Sequence, residues 1–336
     1  MLNLIRMNLF RMVHTKGVIV VFVLLMGFSV INACASAVES REAMEWYEKE
    51  KEKDAQKEMG TGDAVPDMEE NVGAGSEAET DGISIDEDIE GIAEDIEGDN
   101  VVYDIGYEMG QKGAGMGIYL ETPLYPDGRI QDYLMLYGAE LSSGMMLLFL
   151  LIAAIIFFWG DERNGFVKNI AGQTKHKVNI FLSKLIAIGI FTLVSMLCYM
   201  LVEFAAFKCS WLAGVNIAFG MEHLKEACKV FATEYLLYMA YISGLLLLTE
   251  VTRSTAVGIT IGLLGVLGFG IVFSALVQKV LHTNFQIVKY YVNTSVTEIN
   301  MYVEWEVFRL ALCVGGGFLV LYNVLHMFWF VKRDVV

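Results

Sequence analysis

Three glutamates, Glu140, Glu203 and Glu234, stand inside long apolar runs of this chain. An ionisable group held away from water is costly, and one found there defaults to a functional role. Such carboxylates can hold a cation, so the three mark a candidate path for a cationic or amphipathic substrate. The plainer reading puts them at the rim of each run, with Lys208 and Lys229 as partners. A second acidic pattern is Asp86, Asp88, Glu90 and Gly91, with Glu97 in the twelfth place. A calcium loop needs oxygen ligands at positions 1, 3 and 5 and a bidentate Glu at 12. Position 5 here is Glu rather than Asp or Asn, and the repeat of Glu-Asp-Ile-Glu-Gly at 87–91 and 94–98 generates the spacing by itself. A solvated acidic spacer is therefore the default, and no metal site is expected.

The remaining reactive residues give little. Cys34, Cys198, Cys209, Cys228 and Cys313 form no CxxC and no Cys/His zinc spacing. Cys209 and Cys228 flank one loop and either bridge it or stay as two thiols. GxxxxGK[ST], HExxH and GxSxG are all absent. No catalytic residue, ATP site or cofactor is thus expected in this chain.

The elements that carry these residues follow from the distribution of charge. The chain is 55% hydrophobic with mean hydropathy +0.49, yet its net charge is -16. Residues 39–133 hold 28 acids against 7 bases, so the rest is apolar and mildly basic. Crossing a hydrocarbon core of roughly 30 Å takes about 20 apolar residues of helix. Six runs qualify: Gly17–Ala37, Tyr133–Trp159, Val178–Phe207, Ala227–Thr249, Thr255–Val277 and Val307–Val331. Pro66, Pro123 and Pro126 all fall outside them, so no proline kink is expected. The sequence predicts an all-α, polytopic membrane protein with six transmembrane helices and a large acidic extracytoplasmic loop, 38–132, between helices 1 and 2.

Orientation follows from Lys and Arg in the short flanking segments. Arg6, Arg11 and Lys16 precede the first run, and Arg163, Lys168, Lys175, Lys177 and Lys184 follow the second. Arg253 follows the fourth, and Lys332 and Arg333 the sixth. These place both termini, with residues 1–16, on the cytoplasmic side of the plasma membrane and the acidic block outside. A cleaved signal peptide ending at Ala35-Ser36-Ala37 is the rival for the first run. So is a lipoprotein-like box at Ile31-Asn32-Ala33-Cys34, in which Asn is out of place.

Residues 39–58 are helix-prone and continue the first span outward. Residues 59–100, rich in Gly, Glu and Asp, lack the apolar surface to fold. Gly258 and Gly262 form GxxxG, with Gly265 beyond, and small residues there allow close helix packing, internal or across a dimer seam. Residues 278–306 carry Phe285, Ile287, Val288, Tyr290, Tyr291, Tyr302 and Trp305, an aromatic content suited to a membrane interface.

The short connection 160–177 is the most informative stretch. Glu162, Gly165 and Lys168 follow E-x-x-G-x-x-K spacing at the end of the second span, Phe166, Val167 and Ile170 form an amphipathic turn, and Lys175, Lys177 and Lys184 open the third span. This arrangement resembles the ABC-2 family of exporter permeases, as do the overall span plan and the long outer loop after span one. The chain departs from many members in having His176-Lys177 where Ser-Arg is common, and in lacking a preceding Pro. The resemblance implies that a coupling helix in this loop docks on an ATPase subunit through Glu162, Gly165, Phe166, Lys168 and Ile170. It also implies two ATPase copies, ATP held on those partners, and a second permease protomer. Short re-entrant helices within 278–306 are a further implication. The expected function is outward transport of a peptide or hydrophobic antibiotic-like substrate, with no nucleic-acid partner. The alternative is a non-transporting membrane sensor or scaffold whose acidic loop binds a ligand.

Overall fold

The computed structural model describes residues 1–60, 132–163, 177–209, 217–269, 290–300 and 303–332. Regular structure among the described residues is entirely helical: α1 (Leu2–His14), α2 (Lys16–Gly60), α3 (Tyr133–Ser142), α4 (Met145–Arg163), α5 (Lys177–Phe207), α6 (Leu224–Thr252), α7 (Thr255–Val266), α8 (Val292–Glu298) and α9 (Trp305–Lys332). Four segments are long and apolar enough to cross a membrane: Lys16–Ala37, Lys177–Phe207, Met221–Thr252 and Trp305–Lys332. The count is five if α3 and α4 together make one bent span. Residues 61–131, with the calcium-like pattern and most of the acidic block, lie outside the described residues, as do 164–176 and 270–289.

The first span runs on without a break to Gly60, as the helix-prone 39–58 stretch predicts. Its apolar part lies against α4 and α5, with Phe22 beside Phe191 and Phe28 beside Phe149. The N-terminal segment is itself a helix. α1 turns Asn8 and Met12 inward, and the Asn8 amide donates to Ser183 Oγ on α5 at 2.9 Å. At the centre, 67% of the apolar window of α6 is buried, whereas only 17% of that of α9 is. α9 therefore presents an apolar outer face that includes Val320, Val324 and Phe328, as a helix solvated by lipid tails would.

Two of the expected spans are interrupted. The Tyr133–Trp159 run was expected to be continuous because it contains no proline, but α3 and α4 meet at a 57° bend. Gly144, at φ 74°, makes the bend, in a left-handed conformation that glycine adopts without steric cost. Carbonyls released by a break inside an apolar bundle must find new donors. Here Tyr238 Oη donates to Leu141 O at 2.5 Å, and the Ser143 hydroxyl donates to Glu140 O at 2.7 Å. The second interruption lies in the 255–277 run, where α7 stops at Val266 and Gly268 turns to φ 80°. Asn293 of α8 reaches across to cap this end, donating to Gly265 O at 2.8 Å.

Glycines fix α7 against its neighbours inside the chain. A Cβ at Gly262 would lie 2.2 Å from Leu151 Cδ2, and one at Gly265 would lie 2.0 Å from the Tyr241 hydroxyl. That hydroxyl donates to Gly262 O at 3.0 Å, on a ring with little freedom to move aside. Gly265→Ala is expected to destabilise the protein by about 1–3 kcal/mol, the usual range for overpacking. Tyr241→Phe in the same chain should recover part of that loss, because it removes the clashing oxygen. Thermal unfolding in detergent measures both, and additive losses would show that the contact is not the cause.

Candidate polar site within the bundle

Helical spacing brings polar residues of three helices together. Tyr133, Tyr137 and Glu140 are spaced i, i+4, i+7 and so share a face of α3, while Tyr199 and Glu203 share one on α5. Asn32 comes from α2. Its amide donates to Glu140 Oε1 and lies 3.4 Å from Glu203 Oε1. The two carboxyl groups also contact each other, and Tyr199 reaches Glu140. The Tyr133 hydroxyl lies 2.7 Å from Met200 O and 3.0 Å from Glu203 Oε2, so its single proton serves one of them at a time. Tyr137 donates to Met196 O at 2.9 Å. Glu203, Tyr133, Tyr137 and Tyr199 are all buried.

Two touching carboxyl groups in apolar surroundings require a positive charge between them, either a proton or a bound cation. The tyrosines that face them are packed in turn by other rings: Phe204 and Phe219 lie with ring centres 5.1 and 6.1 Å from Tyr133, and Tyr137 lies 6.4 Å from Tyr199. Carboxylates and aromatic faces both favour cations.

The lysines expected as partners point elsewhere. Lys208 Nζ donates to Ile217 O at 2.7 Å, and Lys229 pairs with Glu226 at 3.6 Å. Lys208 is held within the connection that follows α5, and Lys229 by a neighbour one turn away on α6. Glu234 does not join the knot. It is buried on α6 one turn from Tyr238, and neither carboxyl oxygen has a hydrogen-bond partner among the described residues.

A second buried cluster lies about 28 Å away along the axis of α5, taking 1.5 Å per residue from Glu203 to Lys184. His326 Nε2 of α9 meets Glu250 Oε2 of α6 at 2.5 Å, both side chains 1% exposed or less. The imidazole lies against Phe158 and Phe181, at 5.1 and 4.7 Å. Lys184, read from sequence as a charged anchor at a membrane edge, is instead buried with its ammonium 4.7 Å from the Phe158 ring centre.

Of the residues expected to dock an ATPase, Glu162 belongs to the last turn of α4, and Gly165, Phe166, Lys168 and Ile170 lie outside the described residues. Cys209 and Cys228 are free and exposed. Sequence reasoning missed Asn32 and His326 as site residues. The available signal was an amide and an imidazole within otherwise apolar runs. No protein-family model matches this sequence, and no curated protein matches it.

Proposed function

We propose that this chain is the membrane-spanning, non-catalytic subunit of an ATP-driven exporter of the ABC-2 type. On this reading it moves a cationic or amphipathic peptide, or a hydrophobic antibiotic-like compound, outward. Six spans belong to it, with the bent α3–α4 pair as the second and α7 with the residues after it as the fifth. Both termini are then cytoplasmic and the acidic block is outside. The observation that carries the proposal is the knot of Asn32, Glu140 and Glu203, two carboxyl groups in contact inside an apolar bundle, a grouping suited to a cationic group. It lies at the opposite end of the helices from the short connection between Arg163 and Lys177. A substrate site at one end and an energy input at the other is the division of labour that an exporter needs. Two ATPase copies would dock at 160–177, and a second protomer would complete the pathway.

Copurification with the ATPase and substrate-stimulated ATP hydrolysis in reconstituted vesicles test this reading. Phe166→Ala and Glu162→Lys should leave the protein inserted but cut ATPase capture or stimulated hydrolysis by about tenfold, since a few anchors dominate a small interface. Lys332→Ala should be silent. Glu203→Gln should keep capture and lose stimulation by cationic substrates. Wild-type behaviour of both loop variants would reduce 160–177 to a charged connector and remove the exporter reading. A membrane sensor or scaffold would purify without an ATPase.

A further inference from the structure

At the knot end, two separate stretches of chain are laced together by their backbones. Tyr133 N donates to Ala218 O at 2.9 Å and Leu134 N to Phe219 O at 3.3 Å, which ties the start of α3 to the segment before α6. Gly220 makes the close approach feasible: it sits at φ 77°, and a Cβ there would lie 2.5 Å from Asp132 Cβ. Next comes the 3₁₀ turn Met221–His223, which places Glu222 and His223 beside Asp132. His223 Nε2 lies 3.6 Å from Asp132 Oδ2 and 3.7 Å from Glu222 Oε1, and the three atoms are all within 4.8 Å of one another.

We propose that Asp132, Glu222 and His223 form a binding site for a borderline divalent metal ion, with zinc as the best fit. Both imidazole distances exceed the 2.7–3.2 Å range of a hydrogen bond. They come close to the separation of two ligands on one tetrahedral zinc, roughly 3.3–3.5 Å for metal–ligand bonds of 2.0–2.2 Å. The third pair, Asp132 and Glu222, lies within 4.8 Å, so closing the site takes a shift of a few tenths of an ångström at the imidazole and of up to about 1.4 Å at the exposed Glu222 arm. The donor set selects the metal: one imidazole nitrogen with two carboxylate oxygens suits zinc, whereas calcium and magnesium favour oxygen alone.

Exposure also suits a site open to metal from solution. The Asp132 and His223 side chains are 14% and 27% exposed, and Glu222, at 76%, is the arm free to swing in. Three protein ligands leave a fourth position for water. The preceding run, with 28 acids against 7 bases over 39–133, raises the local concentration of cations. Asp132 directly precedes Tyr133, whose hydroxyl touches Glu203, so a bound ion would fasten α3 to the start of α6 beside the carboxylate knot. The rival arrangement is a protonated imidazole resting between two carboxylates with no metal.

Binding is measured on the full chain in nanodiscs of zwitterionic lipid, stripped with chelator and titrated with Co²⁺, so the result does not depend on the exporter reading. One equivalent should give the intense visible absorption of a four- or five-coordinate site, be displaced by Zn²⁺, and raise the melting temperature. His223→Ala should abolish the band, weaken Zn²⁺ binding by at least about tenfold and remove the rise in melting temperature on adding Zn²⁺. Asp132→Asn should do the same to binding, and His14→Ala should change nothing. A weak octahedral spectrum in the wild type, or an intense band that survives in His223→Ala, would overturn the proposal.

Discussion

Asn32→Asp is expected to destabilise the protein by about 3–5 kcal/mol, the range for an uncompensated buried charge. Asn32 supplies the amide protons that Glu140 and Glu203 share. A carboxylate in its place withdraws those donors and sets three acids in contact beside the buried Tyr133 and Tyr199. Neither nearby lysine can answer, because Lys208 is held at Ile217 O and Lys229 at Glu226. Glu140→Gln in the same chain should restore most of the loss by returning an amide to the knot from the opposite side. Asn32→Leu, which removes the donors without adding charge, should cost less, about 1–3 kcal/mol. Unfolding in detergent and the inserted fraction in membranes provide the readouts. A single Asn32→Asp variant as stable as the wild type would mean that the three side chains do not meet.

At the other end, His326→Leu is expected to cost about 3–5 kcal/mol by breaking a buried pair from one side. Glu250 loses its contact with the imidazole at 2.5 Å while remaining enclosed by the same packing. His326→Gln, which keeps a donor, should lose less. The double variant Glu250→Leu with His326→Leu should be more stable than either single variant, since a matched apolar pair often replaces a buried ion pair at little cost. Phe158 and Phe181 already provide an apolar wall for the new side chains. The double-mutant cycle gives the coupling energy, and simple additivity would show that the two groups act independently.

Much of the helix plan was legible because length and hydropathy are local properties. Four spans fall within a few residues of the runs that mark them. The bend at Gly144 was not legible, because its released carbonyls are satisfied from Tyr238, almost a hundred positions away. Glu140 and Glu203 were recognisable as costly residues, but their meeting depends on the packing of α2, α3 and α5. Asn32 looked like an oddity in a processing signal until its partners came from two other helices. Lys184 shows the opposite failure: a basic residue near the end of a span reads as an anchor, and only its burial against Phe158 of α4 shows it to be enclosed. The packing glycines were legible in type, and their partners prove to be Leu151, Leu245, Thr249 and Tyr241 of the same chain.

The uninterrupted length of α2 has a mechanical consequence. Beyond Ala37 the helix continues to Gly60, which at 1.5 Å per residue makes an arm of roughly 35 Å past the apolar segment. Near its other end Gly17 rests against Ile156, where a Cβ would lie 2.9 Å from Cγ2. α4, which carries Ile156, leads directly into the connection at Arg163. Phe22 against Phe191, Phe28 against Phe149 and Asn32 in the knot hold the same apolar part, so only the stretch beyond Ala37 is a free arm. A tilt of about 5° of the packed part, small against the spread of helix crossing angles, sweeps the tip of that arm through roughly 3 Å. The arm therefore carries small tilts of the packed helices out to the start of the acidic block.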